Sequence, residues 1–293
     1  MTMSLTSRVH TSWQLLQSSL RVLRDQPRLL VFPAAAGLCL LSLALFFFAP
    51  FLLIRAGRLT PDMSAAGQDF APAFYAWGGV VYLGAMFLAT FCNVAFYHET
   101  LRAFAGEAVS LRRGWQFAFS RIGAILCWSL LAGTVGLIIK SIEGRFGWLG
   151  KLVTGLVGTA WSVAAVFAVP VIVRRRDNNP LAVLRDSAAM LRRTWGEALV
   201  GFVGLQLGAL MLLGTLLITI LATVAFSLLL HLGWFPRVLF GSGMLLGMIV
   251  VGALVAVATD VFRCALYVYA SEGVVPQPYT TELLNAGWKV KKS

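Results

Sequence analysis

Charge is scarce in this sequence. Of its 293 residues, 12% are Asp, Glu, Lys or Arg, where a soluble domain carries about a quarter. With 59% hydrophobic residues and a mean hydropathy of +0.81, the chain has too little polar surface to coat a water-soluble fold. That excludes the ordinary globular classes and predicts a polytopic membrane protein. Cysteine is scarce too. Cys39, Cys92, Cys127 and Cys264 lie in or beside long apolar runs, without Cys-x-x-Cys spacing or a histidine at ligand distance. This leaves no basis for a disulfide framework or a zinc site. Acidic residues number 12 against 24 Lys and Arg, a net charge of +12. In a soluble chain that excess would suggest nucleic acid. Here no aromatic-interleaved basic face accompanies it, and retention of Lys and Arg by cytoplasmic loops accounts for it.

Catalytic patterns are also missing. The three histidines, His10, His98 and His231, are scattered. The stretch FYHETLRAF holds His98 and Glu99 but lacks the second histidine four residues on that a zinc-protease helix needs. No Gly-rich phosphate loop, nucleophile elbow or aspartate pair on one helix occurs, and neither a catalytic residue nor a cofactor is assigned.

What the chain does have is length in its apolar runs. A membrane-crossing helix needs roughly 20 such residues, and six stretches qualify: 29–54, 71–97, 119–139, 152–173, 198–230 and 238–261, the last extending as helix toward 270. The fifth is long enough that it must tilt, bend or protrude. Residues 1–28 lack the single apolar core and small-residue cleavage site of a signal peptide. They read as a cytoplasmic amphipathic helix, and residues 272–293 as a cytoplasmic tail. With the N-terminus inside, the inner segments hold 18 Lys and Arg and the outer loops six, which predicts cytoplasmic termini. Tryptophans agree: Trp148 and Trp234 fall in two short outer turns, while Trp13, Trp115, Trp195 and Trp288 fall inside.

Six arginines gather in VPVIVRRRDNNPLAVLRDSAAMLRRTWGE, residues 169–197. Pro170 bends the fourth span by removing a backbone donor, and Arg174, Arg175 and Arg176 stop it. Asn179 followed by Pro180 is a helix-start signal. Leu181, Leu184, Ala188, Leu191 and Trp195 then recur at helical spacing, which predicts an amphipathic helix over 180–195. The same unit occurs twice more. Val9, Trp13, Leu16, Leu20 and Leu23 share a face before the first span. Leu111, Trp115 and Ala118 do so in 110–118, with Ser110 as cap, before the third. The sequence therefore predicts an all-α protein of six transmembrane helices arranged as three hairpins, each preceded by a cytoplasmic amphipathic helix.

The 169–197 junction resembles, loosely, that of bacterial glycerophosphodiester-phosphodiesterase membrane-domain-like proteins, through Pro180-Leu181-Ala182 and Arg192 to Trp195. The order SWQLLQSSLRVLRDQPRLLVFP, FCNVAFYHETL, GWLGKLVTGLVGTAWSVAAVFAVPV and MLRRTWGEALVG is more similar to a bacterial family of integral membrane proteins without assigned function. That likeness implies a bacterial inner membrane and a fold, but no activity; no phosphodiesterase domain is present.

The polar candidates inside the spans are Asn93, Gln206, Asp260 and Arg263. Asp260 and Arg263 share a helical face, and an antiparallel pairing of spans five and six brings Gln206 to Asp260. Gly204, Gly208, Gly243 and Gly247 are the expected close-packing positions of that pair. Anionic-lipid contacts are expected at Arg174, Arg175, Arg176, Arg185, Arg192 and Arg193. The leading expectation is a non-enzymatic protein that organises lipid, or serves as an accessory subunit to a second copy or another protein, through a basic cytoplasmic collar. The alternative is a transporter or channel for a small solute, ion or lipid, with a polar path around Asp260.

Overall fold

The computed structural model describes residues 5–55, 70–145, 147–193 and 233–281, with seven further positions between 214 and 223. All regular structure among the described residues is helical. Helix α1 is Leu5–Asp25, and a 3₁₀ turn, Pro27–Leu30, leads into α2, Val31–Arg55. Then come α3 (Phe70–Phe104), α4 (Leu111–Ser120), α5 (Ile122–Arg145), α6 (Gly147–Ala164), α7 (Ala168–Arg174), α8 (Pro180–Arg193) and α9 (Trp234–Glu272).

Five apolar segments of membrane-crossing length lie in these helices: Pro27–Phe48, Ala76–Phe104, Ile122–Ile142, Val153–Arg174 and Gly241–Glu272. The remaining expected span, 198–230, lies mostly outside the described residues; the few positions described there are helical. The spans are apolar all round, and Leu38, Phe46, Leu156 and Leu246 are each more than half exposed. Such a surface is stable only against hydrocarbon. The chain is a membrane protein.

Several boundaries differ from the sequence expectation. Helix α3 runs on to Phe104, because nothing breaks it before Gly106, whose φ of 82° starts the stop. There Gly106 N–H bonds Ala103 O and Glu107 N–H bonds Arg102 O, both at 3.0 Å, the paired bonds of a Schellman end. His98, just past the expected end of the second span at residue 97, is therefore inside the helix. Trp148 and Trp234 are helical residues, in α6 and at the start of α9, not turn residues. The fourth span is two helices: Pro170 cannot donate and its ring would press on the carbonyl of Val166, so residues 165–167 form a turn between α6 and α7.

The chain forms two compact units, Arg28–Leu191, and Met1–Pro27 with Arg192–Ser293. In the first, α3 is central and packs against α2, α4, α5 and α7. Glycine permits its close approach to α5. A Cβ at Gly133 would stand 2.6 Å from Leu83 Cδ2, and one at Gly136 would stand 2.6 Å from Tyr82 Oη. In the second unit α1 packs on α9, and Gly273, at φ 70°, ends α9.

Candidate functional site

Helix α4 is fastened to α3 through one carboxylate. Ser110 caps α4, its hydroxyl accepting from Arg113 N–H at 3.5 Å. The buried face of α4 is Gly114 and Ala118; a Cβ at Gly114 would lie 2.6 Å from the Phe32 ring and 3.0 Å from Glu99 Cγ. That absence of a side chain lets α4 lie directly over Glu99, which is fully buried. Arg113 donates to both of its oxygens at 2.8 Å, from Nε and Nη2, and Ser110 N–H donates at 2.7 Å. The bidentate geometry is the strong form of this pair, and the hydrogen bond to Glu99 holds the guanidinium above its usual range. Arg113 also donates to Ala108 O at 2.9 Å and lies 3.5 Å from Glu107, which Arg102 holds in turn at 2.6 Å. His98 Nε2 is 3.8 Å from Glu99 Oε1, too far for a hydrogen bond. Its ring stacks on Phe117 at 3.8 Å. With both oxygens of Glu99 held by donors, the group is arranged as a clasp, not as a base open to a substrate.

Helix α8 begins as Asn179-Pro180 implies: Asn179 Oδ1 accepts from Leu181 N–H at 3.0 Å and Ala182 N–H at 3.3 Å. Its inward face differs from the expected stripe. Val183, Ser187 and Leu191 are buried, whereas Leu181 is 63% exposed. The helix is turned because Ser187, which hydropathy reads as an outward residue, is needed inside. Its hydroxyl accepts from Phe167 N–H at 3.0 Å and donates to Ala164 O at 2.6 Å. Those are backbone groups left over by the break between α6 and α7.

The opposite face of α8 carries Leu181, Arg185, Ala189 and Arg192, all exposed and at helical spacing. Arg174 and Arg176, at the end of α7, are exposed as well. Arg175 is less exposed than either. Its Nε donates to Asp177 Oδ1 at 2.6 Å, its Nη2 pairs with Asp177 and its Nη1 with Asp186. Asp177, then Asp186, raise the guanidinium above its usual range, and the hydrogen bond from Arg175 lowers the Asp177 carboxyl. A depressed carboxylate contributes above its unfolded value and is lost only as pH falls through its folded one, so this clasp holds throughout the neutral range. Arg193 is helical, but its side chain lies outside the described residues.

In the other unit, Arg263 Nη1 meets Asp260 Oδ1 at 3.0 Å, three residues apart on α9. Gln206, Gly204 and Gly208 lie outside the described residues, and Asn93 belongs to the first unit. Among the described residues nothing stands within 4 Å of a Cβ built at Gly243 or Gly247. Helix α1 buries Leu15, Leu16, Ser18, Ser19, Val22 and Leu23, while Trp13 is half exposed. Its face too is turned from the expected one, again to bury serine. Ser19 donates to Leu15 O at 3.1 Å and shares a hydrogen bond of 2.7 Å with Tyr279 Oη. Tyr279 returns after Gly273, 4% exposed, beside Phe262.

Burial raises the Tyr279 phenol above its ordinary value. A group with a raised folded value contributes fully below its unfolded value, about 10, and loses that contribution as pH climbs toward the folded one. Proteolytic release of the segment after Gly273 is therefore expected to rise above about pH 10. Tyr279→Phe should abolish that pH dependence while weakening the attachment at neutral pH by about 0.5–1.5 kcal/mol.

Ser187 is a residue that reading the sequence passes over, and Glu99 is noticed there only beside His98, not as the partner of Arg113. Glu99 had a signal: it is the one acidic residue between Asp69 and Glu107, and an acid in a long apolar helix demands a partner. Among the described residues no three His, Cys, Asp or Glu gather at metal-binding distance. A groove of about 200 Å³ between α2 and α3 is lined by Leu40, Leu43, Phe47, Val81 and Tyr82 and is almost wholly apolar. Compared with known proteins, the chain matches a family of unknown function (DUF6159) over residues 73–276. No curated protein and no solved structure matches.

Proposed function

We propose that this chain, which belongs to the DUF6159 family of unknown function, is a non-enzymatic protein of the bacterial inner membrane. In this reading it gathers anionic lipid at a basic cytoplasmic face, organising the bilayer or presenting a lipid-bound collar to a partner protein. The observation that carries it is the orientation of α8: one face is fixed inward by Ser187, and the other presents Leu181, Arg185 and Arg192 outward. A helix with basic residues beside an exposed leucine, placed where a span ends, suits the headgroup layer. The 18-to-6 division of Lys and Arg puts that layer on the cytoplasmic side, with six spans as three hairpins and both termini inside. In this arrangement α1, α4 and α8 are the three amphipathic helices of the collar. The likeness of the 169–197 junction to glycerophosphodiester-phosphodiesterase membrane domains supports a membrane role and brings no hydrolysis with it.

Replacing Arg185, Arg192 and Arg193 together by glutamine is expected to remove most of the anionic lipid that co-purifies with the protein in nanodiscs, with the spans still inserted. Unchanged lipid composition would sink the reading. The alternative, a transporter or channel, draws on the Asp260–Arg263 pair within a span. It requires that Asp260→Asn abolish solute flux in proteoliposomes while the protein stays folded.

A further inference from the structure

We propose that Arg175 acts as an internal counter-ion rather than a lipid contact. It withdraws Asp177 and Asp186 from the outward face of α8, and the cleared face binds phosphate-bearing anionic lipid headgroups. This rests on the collar reading above.

Three consecutive arginines, Arg174 to Arg176, stand where α7 ends, and the middle one is folded back onto two carboxylates. Arg175 leaves the helix in an extended conformation, φ −75° and ψ 151°. From there its guanidinium reaches both Asp177 and Asp186, eleven residues on. Among the described residues, Arg176, Arg185 and Arg192 have no carboxylate within ion-pair distance and are exposed. Asp177 is next to Arg176 in the chain and Asp186 next to Arg185. Released from Arg175, those carboxylates would be the nearest anions for these two arginines and would compete with any phosphate. Held by Arg175, they leave the outward arginines open to an external anion. The position of the face favours a lipid over a soluble anion. It adjoins the end of a span, and Leu181, 63% exposed, shares the stripe with Arg185 and offers an apolar contact to the acyl boundary.

The test uses the full-length protein in detergent, titrated with phosphatidylglycerol and with phosphatidylcholine, bound lipids being counted by native mass spectrometry. Native protein should prefer phosphatidylglycerol. Arg176→Gln with Arg185→Gln should weaken that binding by about fivefold per charge removed. Arg175→Gln alone should also weaken it about fivefold, although Arg175 touches no lipid. Adding Asp177→Asn and Asp186→Asn to Arg175→Gln should restore binding to the native level or beyond. If Arg175→Gln binds as native protein does, the carboxylates do not compete and the inference falls. If the triple variant stays as weak as Arg175→Gln, then Arg175 contributes by contact or by folding, and the inference falls as well. In both cases a weakened Arg176/Arg185 variant leaves the collar reading standing. Native affinity in that variant would overturn the collar reading and this inference with it.

Discussion

Ser187→Ala is expected to destabilise the protein by about 2–4 kcal/mol, since a buried N–H and a part-buried carbonyl lose their partner and each such loss costs about 1–3 kcal/mol, less for the part-buried group. Phe167 N–H and Ala164 O are bridged by a single hydroxyl that is itself fully buried, and neither group has water to turn to inside a span. Thermal unfolding followed by loss of the monodisperse peak would read the effect. Ser187→Thr keeps the hydroxyl and separates its loss from the loss of volume. The cause lies at Pro170, which prevents a continuous helix. In a Pro170→Ala background, where the backbone can form its own bonds across 165–167, Ser187→Ala should cost clearly less. Equal costs in the two backgrounds would show that the hydroxyl does not serve the break.

Arg113→Gln is the second large effect expected. It leaves the Glu99 carboxylate buried with Ser110 N–H as its remaining strong donor. Breaking a buried pair by removing one partner costs about 3–5 kcal/mol. The value should fall near the lower end, because the Arg113 side chain is 34% exposed and solvent screens part of the interaction. Glu99→Gln should cost less, since an uncharged amide survives burial better than an unpaired carboxylate. The double variant Glu99→Gln/Arg113→Gln should be more stable than Arg113→Gln alone. A double-mutant cycle by chemical unfolding measures this, and additive losses would contradict the clasp. Protease sensitivity of the 105–110 loop should follow the same ranking.

Five of the six expected spans and the starts of α4 and α8 were legible in the sequence because they depend on local chemistry. Apolar length marks a crossing, Asn179-Pro180 marks a start, and Ser110 marks a cap. Pro170 foretold a bend, though not that α6 and α7 would separate. The inward faces of α1 and α8 keep Leu16, Leu23 and Leu191 of the expected stripes but are turned from them for one shared reason. Periodicity counts serine as outward, whereas Ser19 and Ser187 are fully buried because each makes a bond to a distant part of the chain. Hydropathy cannot register a hydroxyl whose partner is 23 or 260 residues away. The same limit hid the pairing of Glu99 with Arg113, which reaches it only after α3 gives way at Gly106 and the chain reverses. Among Arg174, Arg175 and Arg176 the sequence draws no distinction. Which one turns to Asp177 and Asp186 is decided by the backbone where α7 stops.

The proposed function requires the outward face of α8 to lie among lipid headgroups. The most direct measurement places a nitroxide at position 189, an exposed alanine on that face, in protein reconstituted into vesicles containing nickel-chelating lipid. If the face lies there, headgroup-bound nickel relaxes the probe strongly, and dissolved oxygen and a soluble nickel complex both reach it at intermediate levels. Relaxation by the soluble complex alone would place the face in bulk water and contradict the proposal.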